Sequence, residues 1–235
     1  MENILKKTLQ PLYEEMIKNT LSHESLYTFC VQWGKKFPID TEKQGVLFIG
    51  KATNGWVSDS RDIELLFGES KQSIFARKDQ IEWVANLEKN KNGYNTSKSS
   101  FWRVIKAING RITKGNNWHH DIAWSNLYKM SFKKGNPNTD LKRQQFKYCK
   151  EILKSEINIL SPKFVILFTS NWEKPFLKFL NNNTEPIILQ SKSWNGNTTK
   201  LYEIDGVYYV SSVHPQGKNE SQHVQTILEL ISNYK

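Results

Sequence analysis

The sequence predicts an α/β fold with a mainly parallel central sheet. Four short apolar runs are spaced along the chain, at residues 46–49, 122–127, 164–168 and 207–213. Continuous apolar runs of this length are typical of strands that are covered on both faces. Helical patterns separate the second run from the third and the third from the fourth. Strands that alternate with helices are joined by crossover connections, which makes neighbouring strands parallel.

The first element of the chain is an amphipathic helical pattern. Apolar side chains between residues 3 and 33 recur at helical spacings that are interrupted near Ser22. They predict a helical cap over residues 1–40 that packs on the rest of the protein. At 235 residues the chain suits one α/β domain and is short for two, so we expect a single domain over residues 1–235.

Helices and turns between the strands are marked by periodicity and by breaker residues. Residues 141–160 place apolar side chains on one helical face, and Pro162 stops that helix because proline cannot continue the hydrogen-bond ladder. Residues 172–180 also predict a helix, and the asparagines at 181–183 predict a turn. Shorter edge strands are expected at residues 187–189 and 200–204.

The composition favours a polyanionic partner and argues against disulfides and zinc. Lys and Arg number 33 and Asp and Glu 23, so the net charge is +10. A basic surface attracts polyanions, and aromatic rings among basic residues stack on bases, although a solvated surface and an aromatic core explain the same composition. Cys30 and Cys149 lie in no C-x-x-C pattern, so we expect neither a disulfide framework nor a zinc site.

The first residues contain no apolar core of signal-peptide length. No window of the sequence approaches the ~18 apolar residues that a membrane span needs. We therefore expect a cytoplasmic, monomeric protein that makes no contact with a membrane.

The candidate site lies where the predicted strands end. In an open parallel sheet, ligands bind beyond the carboxyl ends of the strands. The segments that follow the four strands are residues 50–56, 126–129, 169–172 and 214–217. They hold few carboxylates, no phosphate-binding G-x-x-x-x-G-K-[ST] motif and no Ser/His/Asp set. Amide, imidazole and aromatic groups predominate instead, and these groups suit a flat heterocycle.

The order of four short motifs resembles the uracil-DNA glycosylase superfamily. These motifs are a glycine turn after strand one, Asn-x-x-Lys after strand two, the run CKEILKSEINILSPK at residues 149–163 before strand three, and His-Pro after strand four. The resemblance covers most of residues 45–232. It implies a three-layer α/β/α fold with a central four-stranded, mainly parallel sheet. It also implies an enzyme that flips a nucleotide out of DNA and hydrolyses its N-glycosidic bond.

The resemblance assigns roles around the flipped base. Asn126 would read the pyrimidine edge, and His214 would donate a hydrogen bond to the base oxygen where negative charge builds as the base departs. Trp56 or Phe67 would be the stacking ring. The turn after strand one would line the rest of the base pocket with Gly50, Lys51 and Ala52.

The resemblance also assigns residues to the DNA backbone and grooves. The loop after strand four would probe the minor groove and fill the gap left by the flipped base, through Gln216, Gly217, Lys218 and Asn219. Phosphates would be met by lysines, which position the duplex without reading its sequence. These lysines are Lys129, Lys133, Lys134 and Lys218.

The residue that activates water departs from the family pattern. Ala52 stands where well-known members carry an aspartate, and a methyl group cannot act as a general base. Thr53 or Asn54 would position the water instead. A carboxylate from the neighbouring segment is the other possibility, from among Asp59, Asp62, Glu64 and Glu69.

The run around Cys149 is most similar to the iron-sulfur branch of the family. A cluster needs four thiolates, and this chain has Met130 where a second ligand would stand and no cysteine pair near its start. We therefore expect no metal and no cofactor, with Cys149 as a buried helix residue.

These observations lead to one main expectation and two alternatives. The main one is a DNA glycosylase that acts on uracil or a modified pyrimidine, in DNA repair by base excision or in defence. The second is a non-catalytic nucleic-acid binding module on the same fold. The third is a protein that binds a free base or nucleotide.

Overall fold

The computed structural model describes residues 1–22, 24–37, 45–53, 57–58, 61–69, 80–85, 96–113 and 117–234. The chain forms two compact units by internal packing. The first unit comprises Met1–Val31, Gly50–Lys78 and Ser125–Ser161, and the second comprises Gln32–Ile49, Asp79–Trp124 and Pro162–Lys235. The single domain expected over residues 1–235 stays a prediction.

The described helices and strands follow the chain in this order. The helices are α1 (Glu2–Asn19), α2 (Glu64–Phe67), α3 (Gln80–Ala85), α4 (Ser100–Thr113), α5 (Thr139–Leu160), α6 (Lys174–Leu180) and α7 (Glu220–Ile231). The strands are β1 (Tyr27–Thr28), β2 (Gln32–Trp33), β3 (Val46–Ala52), β4 (Val57–Ser58), β5 (Ile122–Tyr128), β6 (Met130–Ser131), β7 (Phe164–Phe168), β8 (Ile188–Trp194), β9 (Asn197–Ile204) and β10 (Val207–Ser212).

The main sheet is mixed and has seven strands, in the order β2-β5-β3-β7-β10-β9-β8. The four strands predicted from apolar runs are neighbours within it, as β5-β3-β7-β10. β7 pairs in parallel with both β3 and β10, whereas β2 joins β5, β9 joins β10 and β8 joins β9 in the antiparallel sense. The prediction of an α/β fold is confirmed, and the expected number of four strands is wrong.

The sheet is larger than expected because a hairpin extends it. β8 and β9 are longer than the short edge strands predicted at 187–189 and 200–204, and they pair from Ile188 to Trp194. Asn195 and Gly196 form the connection between them, with φ of 41° and 72°. Positive φ at both central residues is the conformation that two-residue hairpin turns require, and Asn-Gly adopts it readily.

Strand β7 lies between layers of buried side chains, as its continuous apolar sequence predicts. Successive side chains of a strand point to opposite faces of the sheet. Phe164, Ile166 and Phe168 belong to a core cluster that also contains Ile105 of α4 and Ile227 of α7. The alternate residues of β7, Val165 and Leu167, are buried as well. Helices α4 and α7 therefore cover one face of this part of the sheet.

The first unit is built on the packing of α1 against α5. Helix α5 begins two residues before the predicted position 141, where the side chain of Asn138 accepts a hydrogen bond from the Leu141 N–H and caps the helix. It ends at Leu160, and the next residue, Ser161, has a φ of 46° and precedes Pro162. This left-handed conformation commonly terminates helices.

The predicted second helix before residue 33 is wrong. Strands β1 and β2 occupy this segment, and β1 pairs with β4 and β6 in a separate three-stranded antiparallel sheet. The side-chain hydroxyl of Tyr13 in α1 donates to the Phe29 carbonyl at 2.7 Å, and the Phe29 N–H donates to the Lys129 carbonyl at 2.8 Å. Pairing with distant backbone overrides the helical spacing of these apolar residues.

The length and hydropathy of a helix decide whether it can cross a membrane. Among the described residues, no helix combines the length and the apolar character that crossing a membrane requires.

The buried sheet of the second unit makes a stability prediction. Ile166→Ala is expected to lower the free energy of unfolding by about 2–5 kcal/mol, because it removes apolar contacts and leaves a cavity. Ile187→Ala is the matched control, since Ile187 is 79% exposed whereas Ile166 is fully buried. Urea unfolding of both variants measures the difference. Equal effects of the two substitutions would contradict the described core.

Candidate functional site

The first strand continues beyond its predicted end. β3 extends through Gly50, Lys51 and Ala52, so the prediction that Gly50 begins a turn is wrong. Glycine is compatible with extended backbone and does not by itself terminate a strand. Gly50 is buried, and Lys51 and Ala52 are half-buried. Thr53 follows the strand, is 4% exposed, and accepts a hydrogen bond on its carbonyl from the Ser131 hydroxyl at 2.6 Å.

Asn126 lies within β5 and is almost fully buried, with 3% of its surface exposed. Its side-chain nitrogen, Nδ2, has no hydrogen-bond partner among the described residues. A buried donor without a partner costs about 1–3 kcal/mol, so folded proteins rarely keep one. The expected role of this amide in reading a pyrimidine edge stays a prediction.

Lys129 is not a surface residue, and its predicted contact with DNA phosphate is wrong. Its side chain is fully buried, and its Nζ lies 2.9 Å from both carboxylate oxygens of Glu156. The same ammonium donates to the Ser125 hydroxyl at 2.6 Å and to the Asn126 carbonyl at 2.7 Å. These protein acceptors satisfy all three of its donors, and the paired carboxylate offsets much of the cost of burying the charge.

The Lys129 ammonium also has a structural consequence for Asn126. Ser125 donates its hydroxyl to Glu156 Oε2 at 2.7 Å, so the carboxylate, the ammonium and the hydroxyl form one buried network. Because the ammonium holds the Asn126 carbonyl, this network fixes the backbone that carries the unpaired amide. Burial raises the pKa of Glu156, and the attraction of Lys129 opposes that shift.

Cys149 is buried in α5, as predicted. Its thiol donates to Gln145 Oε1 at 3.3 Å, and that oxygen also accepts the backbone N–H groups of Lys129 and Met130. Burial raises the pKa of the Cys149 thiol to about 12, so it stays protonated near neutral pH. The described residues contain no group of three His, Cys, Asp or Glu side chains that is placed to hold a metal ion.

Phe67 belongs to the core of the first unit. It is 2% exposed, and its ring meets that of Tyr13 edge-on at a centroid distance of 5.3 Å. Packing against α1 accounts for this position, and its expected role as the stacking ring stays a prediction. The other predicted ring, Trp56, lies outside the described residues, as do Asn54 and Asp59.

Surface residues of the first unit include two of the predicted phosphate-binding lysines. Lys133 and Lys134 are exposed in the loop between β6 and α5. Two of the carboxylates that were considered as alternatives, Asp62 and Glu64, are exposed around the start of α2. Glu69 is also exposed and pairs with Lys6 of α1 at 2.5 Å, and this contact lowers the pKa of Glu69.

His214 is half-buried in the second unit, two residues after β10. Its backbone N–H donates to the Ser170 hydroxyl at 3.0 Å, and its ring nitrogen Nδ1 accepts the Gln216 N–H at 3.3 Å. A ring that accepts at Nδ1 carries its proton on Nε2 when neutral. The ring also stacks on Phe101 of α4, with centroids 5.9 Å apart and an interplanar angle of 12°. His214 is thus held as a hydrogen-bond donor at Nε2.

The loop after His214 is exposed from Gln216 to Asn219. Gly217 has a φ of 70°, a conformation that residues with a Cβ atom rarely adopt. Asn219 has a structural task, since its Oδ1 accepts the Gln222 N–H at 3.0 Å and caps α7. Its expected contact with DNA stays a prediction. Gln216 and Lys218 remain exposed on the loop.

Sequence reasoning missed several residues that contact Lys129 or lie near His214. They are Ser125 and Glu156 around Lys129, and Phe101 and Glu173 near the end of β7 and His214. Ser170 lies in the segment 169–172 that the rule for parallel sheets indicates, and Glu173 comes one position after that segment. Phe101 and Glu156 lie within helices and gave no such signal.

His223 of α7 packs in the core of the second unit. It is fully buried between the rings of Trp194 and Phe168, and its Nε2 shares a 2.8 Å hydrogen bond with the Ser212 hydroxyl. Burial, reinforced by repulsion from His214, lowers the pKa of His223 to about 4. This histidine is therefore neutral near pH 7.

No protein-family model matches this sequence, and no curated protein matches it either.

Breaking the buried ion pair is expected to destabilise the protein. Lys129→Met should lower the free energy of unfolding by about 3–5 kcal/mol, because it leaves the Glu156 carboxylate buried without a cation. Adding Glu156→Leu to that variant should recover most of the loss, since a well-packed apolar pair needs no compensation. Arg143→Ala is the control, because its ion pair with Asp140 is exposed. Denaturant unfolding measures all three variants. A double variant, Lys129→Met with Glu156→Leu, that is no more stable than Lys129→Met alone would contradict the role of the ion pair.

The buried His223 predicts a pH dependence of stability. Its pKa is about 4 in the folded state and near 6.5 when exposed, so only the unfolded chain binds a proton between these values. Stability is therefore lost as the pH falls from about 6.5 to about 4. Relative to His223→Gln, which does not titrate, the wild type should lose about 3 kcal/mol between pH 7 and pH 4. Urea unfolding at both pH values tests this, and a constant difference would contradict it.

Proposed function

We propose that this protein is a DNA glycosylase that hydrolyses the N-glycosidic bond of a flipped uracil or modified pyrimidine in DNA. The observation that carries the proposal is the buried Asn126 amide, whose Nδ2 has no partner among the described residues. A pyrimidine carbonyl is a suitable acceptor for such a donor. The cost of keeping the amide unpaired is then recovered when a base binds.

The state of His214 supports the same chemistry. When the bond between C1′ of the sugar and the base nitrogen breaks, its electron pair moves onto the base, and negative charge develops on the base oxygen. An Nε2–H held by the hydrogen bond at Nδ1 and by the stack on Phe101 is suited to stabilise that charge. A water oxygen forms the new bond to C1′, and its proton leaves to solvent. The base anion takes up a proton from solvent, so the products are an abasic site and the free base.

The fold proposed for this activity is a three-layer α/β/α arrangement of the uracil-DNA glycosylase type. In this proposal β5, β3, β7 and β10 are the four family strands, and β2, β9 and β8 are additions at the two edges of the sheet. The order of these four neighbouring strands and the helices on the sheet are compatible with it.

Water activation in this proposal falls to the residues after β3. Ala52 supplies no base, so Thr53 or the adjacent Asn54 would orient the water by hydrogen bonding. Thr53 is held in place by the bond from Ser131 to its carbonyl. Without a carboxylate the chemical step would be slower, which suits a substrate whose base is a good leaving group.

DNA would be positioned by exposed lysines in each unit. Lys133 and Lys134 in the first unit and Lys218 in the second are exposed, and the net charge of the chain is +10. Phosphate contacts of this kind are independent of sequence and weaken as salt rises.

The absence of an acid at Ala52 favours one alternative. A non-catalytic module would use Asn126 to hold an unusual base without cleaving it. This alternative predicts specific binding of modified duplexes with no abasic product. A protein for free bases or nucleotides would instead show an affinity that changes little with salt.

The proposal is tested with DNA duplexes that carry one uracil, mismatched thymine or modified cytosine. Abasic sites are revealed by alkaline cleavage under single-turnover conditions. Asn126→Ala and His214→Ala should each lower the rate by about 10²–10³-fold, the loss typical of one donor to a developing anion. Asn158→Ala, an exposed asparagine on α5, is the control and should keep the wild-type rate.

Unfolding measurements on the same variants establish that they are folded. Failure of the wild type to produce an abasic site from any of these duplexes would refute the glycosylase. Retained binding of a modified duplex in that case, lost in Asn126→Ala, would favour the non-catalytic module.

A further inference from the structure

The segment after β7 contains an unusual turn in the second unit. Ser170 and Asn171 have φ values of 54° and 74°, in the left-handed region that non-glycine residues seldom adopt. The backbone N–H groups of Thr169 and Ser170 both donate to the Ser212 carbonyl at 3.1 Å, and the Trp172 N–H donates to the Thr169 carbonyl. Strained backbone of this kind persists only where the surroundings hold it.

The side chain that holds this turn is a buried carboxylate. Glu173 is 1% exposed, and its two oxygens accept hydrogen bonds from the hydroxyls of Thr169 and Ser211. Thr169 directly follows β7, and Ser211 lies in the neighbouring strand β10. Glu173 thereby ties the ends of two adjacent parallel strands to each other. Among the described residues, no lysine, arginine or histidine forms an ion pair with it.

The turn after β7 also anchors His214. The Ser170 hydroxyl accepts the backbone N–H of His214 at 3.0 Å. The hydroxyl of Thr169, which directly precedes Ser170, donates to the Glu173 carboxylate. A displacement of Thr169 therefore moves the acceptor that anchors His214.

We propose that Glu173 is a positioning residue for His214, acting through Thr169 and Ser170. The carboxylate sets the position of the turn, the turn sets the Ser170 hydroxyl, and the hydroxyl sets the backbone from which the imidazole projects. Fixing this backbone also preserves the bond from the Gln216 N–H to Nδ1, which selects the tautomer with the proton on Nε2. The inference rests on the proposed function, in which that Nε2–H faces the departing base.

A buried carboxylate is a costly way to join two hydroxyls. Burying a charge without a cation is unfavourable, and apolar side chains would fill the same space at less cost. A carboxylate differs in that both its oxygens only accept, so it dictates the direction of both hydroxyl bonds. The carboxylate therefore fixes the orientation of the ends of β7 and β10.

The experiment measures the tautomer of His214 directly. Long-range ¹H–¹⁵N spectra of the histidine rings report which ring nitrogen is protonated, and the spectrum of His214→Asn assigns the signal. The wild type should show a single neutral tautomer, protonated at Nε2. Glu173→Ala and Ser170→Ala should each give a mixture of the two neutral tautomers. Ser232→Ala, which removes an exposed hydroxyl from the same unit, should leave the signal unchanged.

Catalysis gives the second measurement. Glu173→Ala should lower kcat by about 10²-fold with KM nearly unchanged, as expected for a displaced group that acts on the transition state. Glu173→Gln should keep most of the rate, because its oxygen accepts from one hydroxyl and its nitrogen donates to the other, which can rotate. The double variant Glu173→Ala with Ser170→Ala should be no worse than either single variant, since both act along one path.

The outcomes separate this inference from the proposed function. A single His214 tautomer in folded Glu173→Ala, or strictly additive effects of the two substitutions, would overturn the positioning role while the glycosylase stands. Mixed tautomers in Glu173→Ala together with an inactive wild type would overturn the glycosylase and leave the positioning of His214 supported. If Glu173→Ala does not fold, Ser170→Ala decides the matter: an unaltered tautomer in that variant would refute the inference.

Discussion

The constraint on which the structure depends is that polar groups buried at the ends of the apolar strands need partners inside the protein. A buried carboxylate is central to the solution in each unit. Glu156 is neutralised by Lys129, whereas Glu173 is bonded by two hydroxyls. Networks of this kind are rigid when every member is satisfied, because each bond is strengthened by the low local dielectric. They hold the backbones of Asn126 and His214.

Asn126 departs from that rule, as Thr28 and Asn109 also do among the described residues. Its backbone carbonyl is bonded to the Lys129 ammonium, while its side-chain Nδ2 has no partner among the described residues. The network therefore holds the residue firmly and leaves its amide unsatisfied. In the function proposed above, the base would accept a hydrogen bond from this amide.

Many aromatic residues in the described parts of the chain pack in the protein interior. An aromatic-rich composition therefore does not by itself indicate nucleic-acid binding. Trp102 and Trp118 are buried and lie against each other in the second unit, and Phe67 packs on Tyr13 in the first. Phe101 combines two tasks, since its ring contacts Phe168 in the core and stacks on His214. A ring at the margin of a core can thus pack inward and still orient a half-buried imidazole.

Local sequence determined the α/β class, the strand β7 and the extent of α5, because apolar periodicity and breakers such as Pro162 act over a few residues. Only tertiary structure decided that Lys129 is buried, since its carboxylate lies 27 positions away, and that Glu173 is an anchor, since one of its hydroxyls comes from 38 positions away. A lysine in a polar stretch has the same local pattern whether it meets water or a buried acid. The carboxylate partner determines whether burying the lysine is favourable, and sequence spacing does not reveal that partner.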